Sequence, residues 1–178
     1  MRVIAGRHRG RRLRAPGGSA TRPTPDRVRE ALFSILGSVE ELRVLDLYAG
    51  SGALGIEALS RGAASATFVE SAHAAVAAIR ANLTATGEEA AAEVVASDVV
   101  AWLRSSAREP AYDLVFADPP YDAAARVAGS LGDLLPRVAA PGALIVTESS
   151  KRNPLALDLP LIDERTYGDT RIAIHRGG

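Results

Sequence analysis

Asp118-Pro119-Pro120-Tyr121 follows an apolar run, Leu114-Val115-Phe116-Ala117, and so sets a carboxylate, a carbonyl and an aromatic ring on a stiff corner at a strand end. Each proline fixes its own φ and lacks an N–H, so the corner cannot fold back into a ladder. Such a set suits a planar acceptor with an exocyclic amine: the ring stacks on the base and the oxygens accept from the NH2. A second site stands after another apolar strand, Val44-Leu45, in Asp46-Leu47-Tyr48-Ala49-Gly50-Ser51-Gly52-Ala53-Leu54-Gly55. Gly50 and Gly52 allow a tight turn and close ligand approach, and Gly55 lets the next helix pack near the strand. Together they imply group transfer between a nucleoside cofactor and a nucleobase-like acceptor.

The G-x-G-x-x-G spacing is shared with nicotinamide enzymes, so the acids around it decide the cofactor class. Asp46 precedes the glycines, Glu70 closes the next strand where it could accept both ribose hydroxyls, and Asp98 follows the third where it could meet an adenine amino group. Three carboxylates at adjacent strand ends favour a cationic nucleoside and would repel a pyrophosphate. Taken singly, Asp46 or Asp98 reads equally well as a helix cap.

These sites require a frame. Apolar strands are predicted at 44–47, 66–69, 93–96, 114–117 and 143–147, with helices at 53–60, 73–84, 99–105 and 123–138. Strands alternating with helix-length segments call for a mainly parallel sheet covered on both faces. Beyond Pro154 the rhythm changes: 161–165 and 171–175 bracket Tyr167-Gly168-Asp169, which predicts a closing antiparallel hairpin.

The N-terminus is built differently. Residues 1–30 hold nine arginines against Asp26 and Glu30, whereas the whole chain is neutral, so a basic end faces an acidic body. Two short segments around Gly6-Arg7-His8-Arg9-Gly10 predict a β-hairpin with arginines along it. Thr24 is placed to N-cap a helix beginning at Pro25, with Asp26 in its first turn and apolar residues in helical period to Gly37. Arg22, Arg27 and Arg29 near that helix start suit phosphate. The clustered charge reads as a phosphate-contacting surface rather than a solvated tail.

Composition sets the outer limits. A chain of 178 residues with 47% apolar content fills one α/β domain. It has no cysteine, which removes disulfides, thiolate catalysis and cysteine-metal sites, and His8, His73 and His175 are not spaced as metal ligands, so no metal is expected. No apolar run approaches the length of a membrane span, and a cytoplasmic monomer is the expectation.

With these residues in view, the chain resembles the class I S-adenosylmethionine-dependent methyltransferases and, more narrowly, the bacterial RsmD type, which methylates the exocyclic N2 of a guanine in small-subunit (16S) ribosomal RNA. The resemblance runs through Arg2-Val3-Ile4-Ala5-Gly6, Arg22-Pro23-Thr24, Asp26–Phe33, Asp46–Gly55, Asp118–Tyr121 and Tyr167-Gly168-Asp169-Thr170. It implies a Rossmann-like, seven-stranded, mostly parallel sheet with an antiparallel last strand. Residues 1–24 would form a basic hairpin arm for RNA and 25–178 the methyltransferase domain.

The same resemblance implies S-adenosylmethionine as cofactor, held by Asp46, Tyr48, Gly50, Ser51, Gly52, Glu70, Asp98 and Val99. Phe68, Ser71 and Trp102 read as readily as core or helix-start residues. Asp118 and the Pro119 carbonyl would orient the amine and Tyr121 would stack on a flipped guanine. Arg7, Arg9, Arg11, Arg12, Arg22 and Arg27 would touch RNA, in an assembling small subunit rather than naked 16S rRNA. A DNA adenine-N6 methyltransferase shares the tetrapeptide but usually carries a further recognition region, and a glutamine-N5 protein methyltransferase generally has Asn at the position of Asp118. A noncatalytic ribosome-assembly factor would not need both motifs intact, and no catalytic His or Tyr-Lys pair supports a dehydrogenase.

Overall fold

Strand pairing in the computed structural model, which describes residues 1–17, 24–105, 111–120 and 123–177, gives one seven-stranded sheet in the order β3-β2-β1-β4-β5-β7-β6. The strands are β1 (Arg43–Leu47), β2 (Ser65–Glu70), β3 (Ala92–Ala96), β4 (Tyr112–Ala117), β5 (Ala139–Ser150), β6 (Leu161–Tyr167) and β7 (Thr170–Arg176). The first five pair in parallel, and β7 runs antiparallel to both β5 and β6. The parallel core and the closing hairpin turning at Gly168-Asp169 are therefore as the sequence predicts.

Burial on both faces explains the near-continuous apolar strands. Val44, Phe68, Leu114, Phe116 and Val146 face a core shared with α1 (Asp26–Leu36), α2 (Ala53–Ser60) and α3 (His73–Thr86). Their neighbours Leu45, Leu47, Val69, Val115 and Ile145 face the other core, with α4 (Val99–Ser105) and α5 (Ala124–Leu134). The predicted helix over 123–138 is shorter than expected, because a 3-10 turn at Leu135–Arg137 takes over at Pro136. No helix among the described residues is long and apolar enough to cross a membrane.

The basic N-terminal segment departs from the expected arm. It closes on one antiparallel bridge, Arg2 to Arg12, rather than two strands. Val3 N–H donates to the Arg11 carbonyl at 2.9 Å and Gly10 N–H to the Val3 carbonyl at 2.9 Å. Val3 and Leu13 are buried in the α1–α3 core, contributing about 1.5–3 kcal/mol each. The buried Glu57 carboxylate of α2 accepts from Ile4 N–H at 2.7 Å, Ala5 N–H at 3.0 Å and Arg61 Nε at 2.8 Å. Gly6, at φ 79°, passes so close to the end of α2 that a Cβ there would lie 1.8 Å from the Ser60 carbonyl oxygen. The loop is thus a docked part of the body.

Candidate active site

The β1–β4 register joins the two predicted sites. Leu47 pairs with Ala117, so the glycine loop leaving β1 and the corner leaving β4 emerge side by side at the carboxyl edge of the sheet. Pro119 is buried and Pro120 exposed. The Pro120 carbonyl accepts from Ala123 N–H at 2.8 Å and Ala124 N–H at 3.1 Å, which ties the corner to the start of α5. The Pro119 carbonyl takes no donor among the described residues. Tyr121 and Arg22 lie outside the described residues.

On the cofactor side, Asp46 is buried and its Oδ2 accepts from Gly55 N–H at 2.9 Å, near the start of α2. Burial is the main force raising its pKa to about 7; the Gly55 bond opposes it and nearby Glu70 adds to it. Gly55 must be glycine here, because a Cβ would sit 2.4 Å from the Phe68 ring. Phe68 is accordingly a core residue. Gly50 and Gly52 both have positive φ, 58° and 75°.

Glu70 is half-buried and braces the loop: Oε2 accepts from Gly50 N–H at 2.9 Å and Oε1 from Ala72 N–H at 2.8 Å. Each oxygen keeps a lone pair for a further donor. Asp98 is exposed and caps α4, its Oδ1 accepting from Ala101 N–H at 2.8 Å. The capping reading therefore holds for Asp98, and no hydrogen bond among the described residues reaches its Oδ2. Val99, the first residue of α4, is buried, Ser71 is exposed, and Trp102 packs against the α4–α5 core.

Two features fit a polar, cationic nucleoside on this edge. Asp46, Glu70 and Asp98 stand at or just beyond the ends of three adjacent strands. The Tyr48 hydroxyl is buried without a hydrogen-bond partner among the described residues, so it calls for one. Burial, then the nearby Asp98 charge, pushes that hydroxyl up to about 12. Tyr48 also sits at φ 57°, a conformation costing a non-glycine residue roughly 1–3 kcal/mol and commonly met at functional sites.

On the acceptor side, Asp118 is partly exposed, yet protein crowds its carboxyl from the other directions. Desolvation chiefly, then the charges of Glu148 and Asp46, holds its pKa well above the ordinary carboxylate range. The residue missed from sequence is Glu148, near the end of β5. Ala117 pairs with Thr147, so Asp118 and Glu148 come next on neighbouring strands. Both line a small cavity with Leu32, Leu54, Phe116 and Val146. Glu148 is buried and its own pKa is raised, mainly by desolvation.

Thr24 bonds to the Glu148 of this cavity and does not cap α1. Its hydroxyl donates to Glu148 Oε2 at 2.7 Å, and the position before the helix is taken by Pro25 without a side-chain cap. The local Thr-Pro-Asp pattern yields to a partner 124 residues away.

The arginines sort by burial. Arg9, Arg11, Arg12 and Arg27 are exposed and form no ion pair among the described residues. Arg7 is partly committed, its Nη2 donating to the Leu59 carbonyl at 3.0 Å and lying 3.2 Å from Glu88. Arg29 cannot meet phosphate as its place near the helix start suggested. It is fully buried, donating to the Arg2 carbonyl and to Asp26, and desolvation lowers its pKa.

A seven-stranded sheet of this order, with an acid-rimmed glycine loop after β1 and an Asp-Pro-Pro corner after β4, is the class I methyltransferase fold. The family model described as Conserved hypothetical protein 95 matches residues 1–176, and the chain belongs to that family. It is 37% identical to a Bacillus subtilis protein named as a candidate rRNA methyltransferase, YlbH, over 99% of this chain and 98% of that one. It is 36% identical to ribosomal RNA small subunit methyltransferase D of Haemophilus influenzae, over 94% and 89% of the two chains. The solved structure of an Escherichia coli methyltransferase candidate, YhhF, superposes with a TM-score of 0.83 at 36% identity, covering 99% of this chain and 97% of that one. The family resemblance read from the motifs and these comparisons agree.

Proposed function

We propose that this enzyme methylates the exocyclic N2 of a guanine in small-subunit ribosomal RNA, acting on a partly assembled particle. The observation that carries the reading is the β1–β4 pairing, which sets an amine-accepting corner directly beside a nucleoside-binding loop. The names of the relatives point the same way. When bound, S-adenosylmethionine supplies a methyl group activated by its sulfonium charge.

The chain's residues supply position and charge. Asp46, Tyr48 and the Gly50-Ser51-Gly52 backbone would flank the amino-acid portion of the cofactor, Glu70 its ribose, and Asp98 with the Val99 amide its adenine. Asp118 and the Pro119 carbonyl accept from the two N–H bonds of the acceptor amine, which turns its lone pair toward the methyl group. As nitrogen gains positive charge, the Asp118 carboxylate stabilises it. A carboxylate with a raised proton affinity is also a better base than an exposed aspartate, so Asp118 Oδ is suited to receive the proton that N2 must lose. Tyr121 would stack on the flipped base, contributing about 1–3 kcal/mol.

Arg9, Arg11, Arg12 and Arg27, which form no ion pair among the described residues, would offer cationic groups to phosphates, joined by Arg22 and by Arg7 in a supporting place. Phosphate contacts position an RNA without reading its sequence, so the shape of the particle would select the nucleotide. The test is transfer of labelled methyl groups to small subunits from cells lacking the gene, followed by mapping of the modified nucleotide. A single N2-methylguanine in the RNA is expected; label in DNA or protein, or none, overturns the reading.

A further inference from the structure

We propose that Glu148 is a specificity residue which accepts the N1–H of the target guanine while Asp118 accepts from N2, with Thr24 as its positioning residue. This rests on the guanine-N2 reading above. Guanine presents N1–H and the N2 amine side by side on one edge, whereas adenine has a bare acceptor at N1. An edge with two neighbouring donors calls for two neighbouring acceptors. Asp118 and Glu148 provide them: they follow the Ala117–Thr147 pair on adjacent parallel strands and face one cavity.

The Thr24 hydroxyl donates to Glu148 Oε2 at 2.7 Å, while no hydrogen bond among the described residues reaches Oε1 or the Asp118 carboxylate. With Oε2 held by Thr24, Oε1 is left for a further donor at the cavity that Asp118 also lines. Desolvation raises the proton affinity of both carboxylates, and the Glu148 charge adds to it at Asp118, an arrangement that donors from a ligand would relieve. Leu32 and Leu54 form the apolar wall of the cavity, which strengthens the penalty for a base that leaves either carboxylate unmatched.

The test uses small subunits reconstituted with RNA carrying guanine or 2-aminopurine at the methylated position. 2-Aminopurine keeps the exocyclic amine but has no N1–H. Wild type should prefer guanine on the order of tenfold to hundredfold in kcat/KM. Glu148→Gln, whose amide can donate to a bare N1, should bring the ratio to about one or invert it, and Glu148→Ala should lower both rates and erase the preference. Thr24→Val, which keeps the carboxylate but frees it to turn, should reduce the ratio part of the way. Unfolding midpoints of all variants report their folding. Transfer to guanine with a ratio unchanged in the Glu148 variants overturns this role and leaves the methylation reading intact. A wild type that methylates neither particle overturns both.

Discussion

Arg14 and Ser51 are held by the same side-chain amide, that of Asn82. Its Oδ1 accepts from Arg14 N–H at 2.7 Å, and its Nδ2 donates to the Arg14 carbonyl at 3.0 Å and the Ser51 carbonyl at 2.9 Å. A flipped amide would set its oxygen against two carbonyls, so this pattern fixes the orientation. The basic N-terminal loop and the cofactor loop are therefore tied through one buried side chain. Asn82→Ala leaves three backbone groups without this partner, at about 1–3 kcal/mol for each that stays dry. The variant should bind both S-adenosylmethionine and small-subunit RNA more weakly, by about tenfold in each titration. Loss of only one affinity would show that the loops are independent.

Asp118→Ala should lower turnover by roughly a hundredfold or more while cofactor affinity changes little. It should also raise the unfolding midpoint, because the substitution removes a carboxylate that burial and Glu148 disfavour. Calorimetry and single-turnover assays on one preparation check both, and near-normal turnover removes the proposed role.

Neutralising Arg9, Arg11 and Arg12 should weaken RNA binding and flatten its salt dependence by about 0.7–0.9 per lost phosphate contact. Arg7→Ala acts differently, since Arg7 is engaged with Glu88 and the Leu59 carbonyl. It should loosen the loop and change the salt slope less than the triple variant does. Equal slopes in wild type and triple variant would assign the loop another task.

Glu57→Ala leaves the Ile4 and Ala5 amides and the Arg61 guanidinium without their acceptor. Breaking a buried pair of this kind costs about 3–5 kcal/mol. Limited proteolysis should then cut within residues 1–17 well before the body, a difference absent from wild type.

Asp46 makes stability depend on pH in the direction opposite to ordinary acid denaturation. Its folded pKa of about 7 lies above the 3.8 of a free carboxyl. Between these values the folded protein holds a proton that the unfolded chain has released, so this contribution is intact below pH 4 and is lost as pH rises to about 7. The gap corresponds to about 4 kcal/mol. Asp46→Asn should match wild type near pH 4 and exceed it in urea unfolding at pH 7.5. Parallel pH profiles for the two proteins would exclude the effect.

Local pattern revealed whatever local pattern controls. The apolar runs at 44–47 and 114–117 fixed β1 and β4, and through them the meeting of glycine loop and Asp-Pro-Pro corner. Asp98 was legible both as an acid at a strand end and as a helix cap, and it is the cap that the side chain makes. Thr24 was misread because Thr-Pro-Asp satisfies every short-range rule for a helix start, while its real partner lies on β5. Glu148 carried the same strand-end signal as Asp46 and Glu70, but the predicted strand stopped at Thr147, one residue short. Asn82, inside an alanine-rich helix, and Glu57, whose amide partners Ile4 and Ala5 lie 53 and 52 residues away, had no signal that precedes the tertiary fold.

The attachment of the N-terminal segment at Glu57 uses main-chain amides, with Val3 and Leu13 as apolar anchors. Of its guanidinium groups those of Arg2 and Arg7 reach the body, Arg2 to Asp26 of α1 at 3.3 Å and Arg7 to Glu88 and the Leu59 carbonyl, while Arg9, Arg11 and Arg12 form no ion pair among the described residues. The proposed adhesion to a polyanion and most of the architecture are thus written in different atoms. The number and spacing of cations at positions 9, 11 and 12 can be retuned, by exchange for lysine or by dilution with neutral residues, while the scaffold that presents them stays in place.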